Sequence, residues 1–217
     1  MVAKDVALIE YSKPVDRLNC ITHAMGALAA VVAAVLLILK ADGLAKEISA
    51  VIYGLSMVAV YTVSAVYHGL ENGERKRKAR LIDHSTVPIL IAGTATPCAL
   101  LILYKLSPVH GILVLILAWG CTLFGIFSKI FFFEKLKAVT VAVYIGSCVI
   151  MLGSAVPYLG KINTDAFALL LYGNLAYVTG AVFCGLGRKR EWLHVVFHVF
   201  VIAASAIHYL AIYKYII

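Results

Sequence analysis

Three histidines stand where a divalent cation could be held. His68 closes one apolar run in SAVYHGL, while His194 and His198 open another in EWLHVVFH. Four positions apart, His194 and His198 are neighbours on one helix face, and two imidazoles one turn apart can bind a single metal. His68, arriving from a distant segment, completes a three-ligand set with one position left for water. Zinc suits three neutral imidazoles better than magnesium or calcium, which prefer oxygen. Ser64 lies one turn before His68 on the same face and can orient that ring or a bound water. Asp83, in LIDHSTVPIL, can hold or deprotonate the water. The candidates are therefore His68, His194 and His198 as metal ligands, with Asp83 and Ser64 in catalytic roles.

The elements that position these groups must lie in a membrane. Of the 217 residues, 63% are apolar and only 14% charged, and the mean hydropathy is +0.96. A soluble domain of this size needs far more polar surface. Apolar runs of about 20 residues, enough to cross a bilayer as a helix, fall near 19–40, 46–70, 82–104, 109–128, 137–157, 165–186 and 192–215. No linker or shift in composition divides them, so residues 1–217 read as one domain: an all-α bundle of seven transmembrane helices. The first polar stretch, MVAKDVALIEYSKPVDRLN, reads as a tail on the membrane surface and lacks the pattern of a signal peptide. The five cysteines, Cys20, Cys98, Cys121, Cys148 and Cys184, fall in or beside apolar runs without a CxxC pair. That placement speaks against a disulfide framework or a cysteine metal site. Pro88 and Pro97 should bend the third helix, and Pro88 removes the donor for the His84 carbonyl. Small residues at regular spacing (Gly146 and Gly153; Gly173, Ala176 and Gly180) mark expected close helix contacts. There is no convincing internal repeat of the kind transporters show.

Charge orients the bundle. Lys and Arg number 14 on the side of the N-terminal tail and of the loops after helices 2, 4 and 6, against 5 on the other side. By the positive-inside rule the N-terminus is cytoplasmic, the C-terminus is outside, and the expected location is the inner (plasma) membrane. The formal net charge of +8 then needs no nucleic-acid partner, because it concentrates in short loops that meet anionic headgroups. His68, Asp83, His84, His194 and His198 all fall on that inner side, as do Ser64 and His23. Ionisable groups in a span are costly and mark functional sites.

Plainer roles compete for each residue. Asp83 could be only the N-cap of helix 3, and Ser64 could bond a carbonyl of its own helix. His23 and His84 could be interfacial or hydrogen-bonded to carbonyls. His208 lies 14 residues past His194, about 21 Å along a helix axis. That is too far to share a metal and suits a deep interhelical hydrogen bond. His110 reads as an outer-loop residue.

The sequence of motifs, S-x-x-x-H in SAVYHGL, the aspartate of LIDHSTVPILIAGTATP and H-x-x-x-H in EWLHVVFHVFVIAASAIHY, resembles the hemolysin III family. That family is related to the progestin and adipoQ receptors, including the adiponectin receptors, and more distantly to the alkaline ceramidases. The resemblance runs from NCITHAMG to the C-terminus. It implies seven helices with a zinc ion near the cytoplasmic face, held by His68, His194 and His198. It also implies that Asp83 contacts the water on the zinc and that Ser64 supports the site. His84 departs from the receptor branch, where an aromatic often follows the aspartate.

Three functions fit this pattern. The first is a zinc-dependent hydrolase of lipid amide or ester bonds, with membrane lipids as partners and substrate. The second is a cytolysin or pore, which calls for a polar stripe along a helix that helices 4 and 5 lack. The third is a sensor or receptor with structural zinc, in which His23 or His84 supplies a fourth ligand. No oligomeric state follows from the sequence.

Overall fold

Polar punctuation sets where the helices begin, and it places two of them earlier than hydropathy alone. The computed structural model describes residues 6–217 and is helical throughout those elements; Lys4, counted among the inner charges, lies outside the described residues. Helix α1 spans Lys13–Lys40, with extended Ser12 at the N-cap, proline in the first turn and Asp16 on the same turn. Proline pre-sets φ there and lacks only an N–H that would be unpaired anyway. The segment expected to lie as a tail up to Asn19 is thus helical from Lys13.

Helix α2 covers Leu44–Gly69 and α3 covers Glu74–Cys98. The charged run ERKRKAR, read from sequence as a loop, forms the first two turns of α3. Its residues are strong helix formers, and Glu74 pairs with Lys78 one turn on at 2.7 Å. Asp83 therefore lies nine residues inside a helix whose N-cap is Gly73, and the N-cap role is ruled out for it. After Pro97 the α3 backbone widens into a π turn at Ala99–Leu103 and ends at Leu106. Such widening is a common response where the regular ladder is broken. Pro88 lies inside α3, and its own carbonyl accepts a bond from Thr122 of the next helix at 2.8 Å.

Helices α4 (Pro108–Phe132), α5 (Lys137–Ala155), α6 (Thr164–Leu186) and α7 (Trp192–Ala211) complete the bundle. His110 falls within α4, not in a loop, and its Nδ1 lies 3.0 Å from the Tyr158 hydroxyl. Among the described residues, seven helices are long and apolar enough to cross a membrane. The chain is a multi-pass membrane protein.

Sequence neighbours pack together from α1 to α5 and again from α6 to α7, and α7 closes the bundle against α1. Helix α3 is the central one: 72% of its apolar window is buried, against 17% for α5. Leu28, Leu39, Leu55, Ile116, Leu123 and Val149 point outward, as lipid-facing positions should. The helices that carry His68 and the His194–His198 pair are pinned to each other. Tyr61 and Tyr53 of α2 donate to the Val201 and Ser205 carbonyls of α7 at 3.2 and 3.4 Å.

Only some of the small residues act as spacers. An added Cβ on Gly173 would strike the His208 ring, and one on Gly180 would press Phe200 at 3.0 Å; Gly146 and Gly153 face open space, contrary to the expectation from spacing. His208 makes the interhelical bond expected of it, through Nε2 to the Leu170 carbonyl at 3.1 Å. These contacts predict opposite effects for one chemical change. Gly173→Ala should lower stability by about 1–3 kcal/mol through overpacking. Gly146→Ala should be neutral or slightly stabilising, since alanine is the better helix former. Thermal unfolding of both variants in detergent checks the contrast; equal midpoints would contradict this packing.

Candidate metal centre

His68 sits in the last turn of α2, and His194 and His198 in the first turns of α7. Each offers one ring nitrogen, and the three atoms lie within 4.8 Å of one another. His68 and His198 are buried and His194 is half-buried. The Nε2 atoms of His194 and His198 are 3.2 Å apart. Tetrahedral zinc with Zn–N bonds of about 2.0–2.1 Å separates its ligand nitrogens by about 3.3 Å, so this pair already has the required spacing.

The hydrogen bonds around His68 assign its tautomer. Its Nδ1 lies 2.9 Å from Oδ1 of Asp16, and its Nε2 is buried without a hydrogen-bond partner among the described residues. Nδ1–H donates to the carboxylate, which leaves the Nε2 lone pair for a cation. Carboxylate–imidazole–metal chains of this form orient the ligand and raise its basicity. Lys76 Nζ grips the other carboxylate oxygen of Asp16 at 2.6 Å. The lysine comes from α3 and is only 1% exposed, so α1, α2 and α3 converge on one ring. An orphaned buried acceptor, a matched nitrogen pair and a carboxylate-backed imidazole together fit a zinc ion.

Aromatic rings close the cluster. Tyr11 stacks on His194 with centroids 5.1 Å apart, and His23 stacks on His198 at 3.7 Å. Burial raises the Tyr11 phenol well above its ordinary value, so its hydroxyl stays neutral. The entry of α1 is tied to that of α7, because the Ser12 N–H donates to Oε2 of Glu191 at 2.6 Å. That bond holds the Glu191 carboxyl below the usual range.

The remaining candidates take different places. Ser64 is buried on α2, one turn before His68. Asp83 pairs with His84 Nδ1 at 3.2 Å and stands outside the group of atoms within 4.8 Å. Neither His23 nor His84 enters that group. His23 instead lies flat against His198, and both of its ring nitrogens lack a hydrogen-bond partner among the described residues.

Asp16, Lys76 and Tyr11 are the functional positions that the sequence reading passed over. The signal for Asp16 was in SKPVD: a Ser cap, a proline and an acid in the first turn announce a helix start. Lys76 was counted only for its charge, and Tyr11 lay in the supposed tail.

Apolar spans with a cluster of three histidines at one end define a polytopic membrane protein whose histidines could hold a metal ion. The chain belongs to the haemolysin-III-related family, which it matches over residues 11–209. It is 31% identical over 203 residues to the "Hemolysin-3 homolog" of Bacillus subtilis, covering 91% of this chain and 92% of that one. It is likewise 31% identical over 202 residues to "Hemolysin-3" of Bacillus cereus, with 92% and 90% covered. The human "Monocyte to macrophage differentiation factor" is 30% identical over 208 residues, with 91% and 83% covered.

Proposed function

We propose that this protein is a zinc-dependent hydrolase of lipid amide or ester bonds in the plasma membrane, with His68, His194 and His198 as the metal ligands. The observation that carries the reading is the convergence of three ligand nitrogens within 4.8 Å, with His68 Nδ1 committed to Asp16. Bound there, zinc supplies Lewis acidity, polarising a carbonyl and acidifying water.

The chain's own groups do the rest. Asp16 holds His68 in the tautomer whose Nε2 is free, and Lys76 holds Asp16. Tyr11 and His23 cover two of the rings and limit access of bulk water. Asp83 stands outside the three-nitrogen group and would act through a water, taking its proton and later returning it to the leaving amine or alkoxide. The neighbouring His84 Nδ1 lies 3.2 Å from that carboxylate. Ser64, beside His68, supports the same ring. Because the cluster lies at one end of the spans, an acyl chain can enter from the bilayer while its polar linkage reaches the histidines. The positive-inside count makes that end cytoplasmic.

Asp83→Asn tests the reading. The purified variant is expected to keep its zinc while losing hydrolysis of ceramides and simple acyl esters by about 100-fold or more, the range typical for a lost general base. Wild-type protein with full zinc content that releases no fatty acid from either lipid class would overturn it.

A further inference from the structure

Two cations are buried at the cluster's end of the bundle without enough negative charge to match them. Arg80 lies one turn beyond Lys76 on α3, and Lys129 lies in the last turn of α4; each is only 6% exposed. Both sit over the same ring, with the Arg80 Cζ and the Lys129 Nζ each 5.1 Å from the centroid of Phe133. The ring face attracts cations but carries no net charge. The nearest carboxylate is Glu134, 4.0 Å from Arg80 Nη1, and Glu134 already pairs with Lys137 at 3.0 Å. Lys76 and Asp16 neutralise each other, and the Asp83 carboxylate contacts His84 and neither of these two cations. Among the described residues Arg80 Nε and Nη1 are buried without a hydrogen-bond partner.

Buried charge at a membrane boundary persists only when something pairs with it. The missing partner must be an anion with several acceptor oxygens that can approach from the headgroup level, and guanidinium and ammonium groups together select phosphate. We infer that Arg80 and Lys129, walled by Phe133, form a binding site for a phosphate group, carried by an anionic lipid headgroup or free in solution. Basic pockets between spans on the inner side commonly take such headgroups. The flanking lipid-facing surface favours the headgroup source, because Phe131 and Phe132 of the same helix end are exposed. This inference does not depend on zinc or on hydrolysis.

The test uses the full-length protein, delipidated in neutral detergent, with thermal unfolding and native mass spectrometry as readouts. Phosphatidylglycerol is expected to raise the wild-type midpoint by several degrees over phosphatidylcholine and to remain bound as a defined one-lipid adduct. Inorganic phosphate added to the phosphatidylcholine sample separates the sources. A smaller rise than with phosphatidylglycerol assigns the site to lipid, and an equal rise assigns it to free phosphate. Lys129→Gln and Arg80→Gln should each abolish the gain. Lys78→Gln, which removes the same charge from an exposed position of α3, should retain it. If either site variant fails to fold, the wild-type comparison still decides. Equal midpoints in both lipids with no response to phosphate, or a gain lost equally in Lys78→Gln, would overturn the inference.

Discussion

Replacing His68 with alanine is expected to strip the protein of zinc. Purified His68→Ala should carry less than about a tenth of the wild-type metal content, measured by elemental analysis after equilibration with limiting zinc. The expectation follows from ligand count. Without His68, the cluster within 4.8 Å is reduced to the His194–His198 pair of α7. Two imidazoles on one helix leave zinc with half of its four-coordinate shell. His198→Ala should match it, because His198 is the buried member of that pair. His208→Ala provides the control. His208 is equally buried but bonds the Leu170 carbonyl of α6, so its loss should reduce stability and leave metal content unchanged. His68→Ala protein that retains one zinc per chain would remove the basis for the centre and for the hydrolase reading together. The phosphate site at Arg80 would be untouched by that result.

What could be read from the sequence and what could not divides along physical lines. The histidine cluster was legible because helical period fixes which residues share a face: His194 and His198 had to be neighbours, and the charge count put His68 at their end. The seven spans were legible because lipid demands an apolar stretch of fixed length. That same criterion sees only the stretch immersed in lipid. It missed the turns of α1 and α3 that run on past the apolar stretch, where Asp16 and Lys76 lie. Charge counting treated Lys76 as a topology signal. Its long aliphatic arm instead lets the ammonium group reach Asp16 at 2.6 Å. The glycines teach a related point. Spacing showed that Gly146 and Gly153 share one helix face, but not that this face meets open space while Gly173 meets His208. Pairings between distant segments, such as Asp16 with His68 or Arg80 with Phe133, have no periodic signature and appear only once the helices are assembled.

Asp16 should therefore matter as much as a direct ligand, and for two separable reasons. Its Oδ1 accepts from His68 Nδ1, and its Oδ2 accepts from Lys76 Nζ. Asp16→Ala leaves His68 free to rotate and to adopt the tautomer that turns a proton toward the cluster. Loss of such a supporting carboxylate typically weakens metal affinity by about 10- to 100-fold. The same change strands the buried Lys76 ammonium, which costs about 3 kcal/mol or more when a buried pair is broken on one side. A second variant separates the effects. Asp16→Ala combined with Lys76→Met removes the stranded charge, so thermal stability should recover most of the loss, while zinc affinity in a chelator competition stays low. Lys76→Met alone should bind zinc with an intermediate affinity, because Asp16 still accepts from His68 but is no longer held from α3. A double variant that regains wild-type zinc affinity along with stability would show that Asp16 only balances Lys76. In that case the orientation of His68 would have to come from its packing against Tyr67, whose ring lies 4.5 Å away.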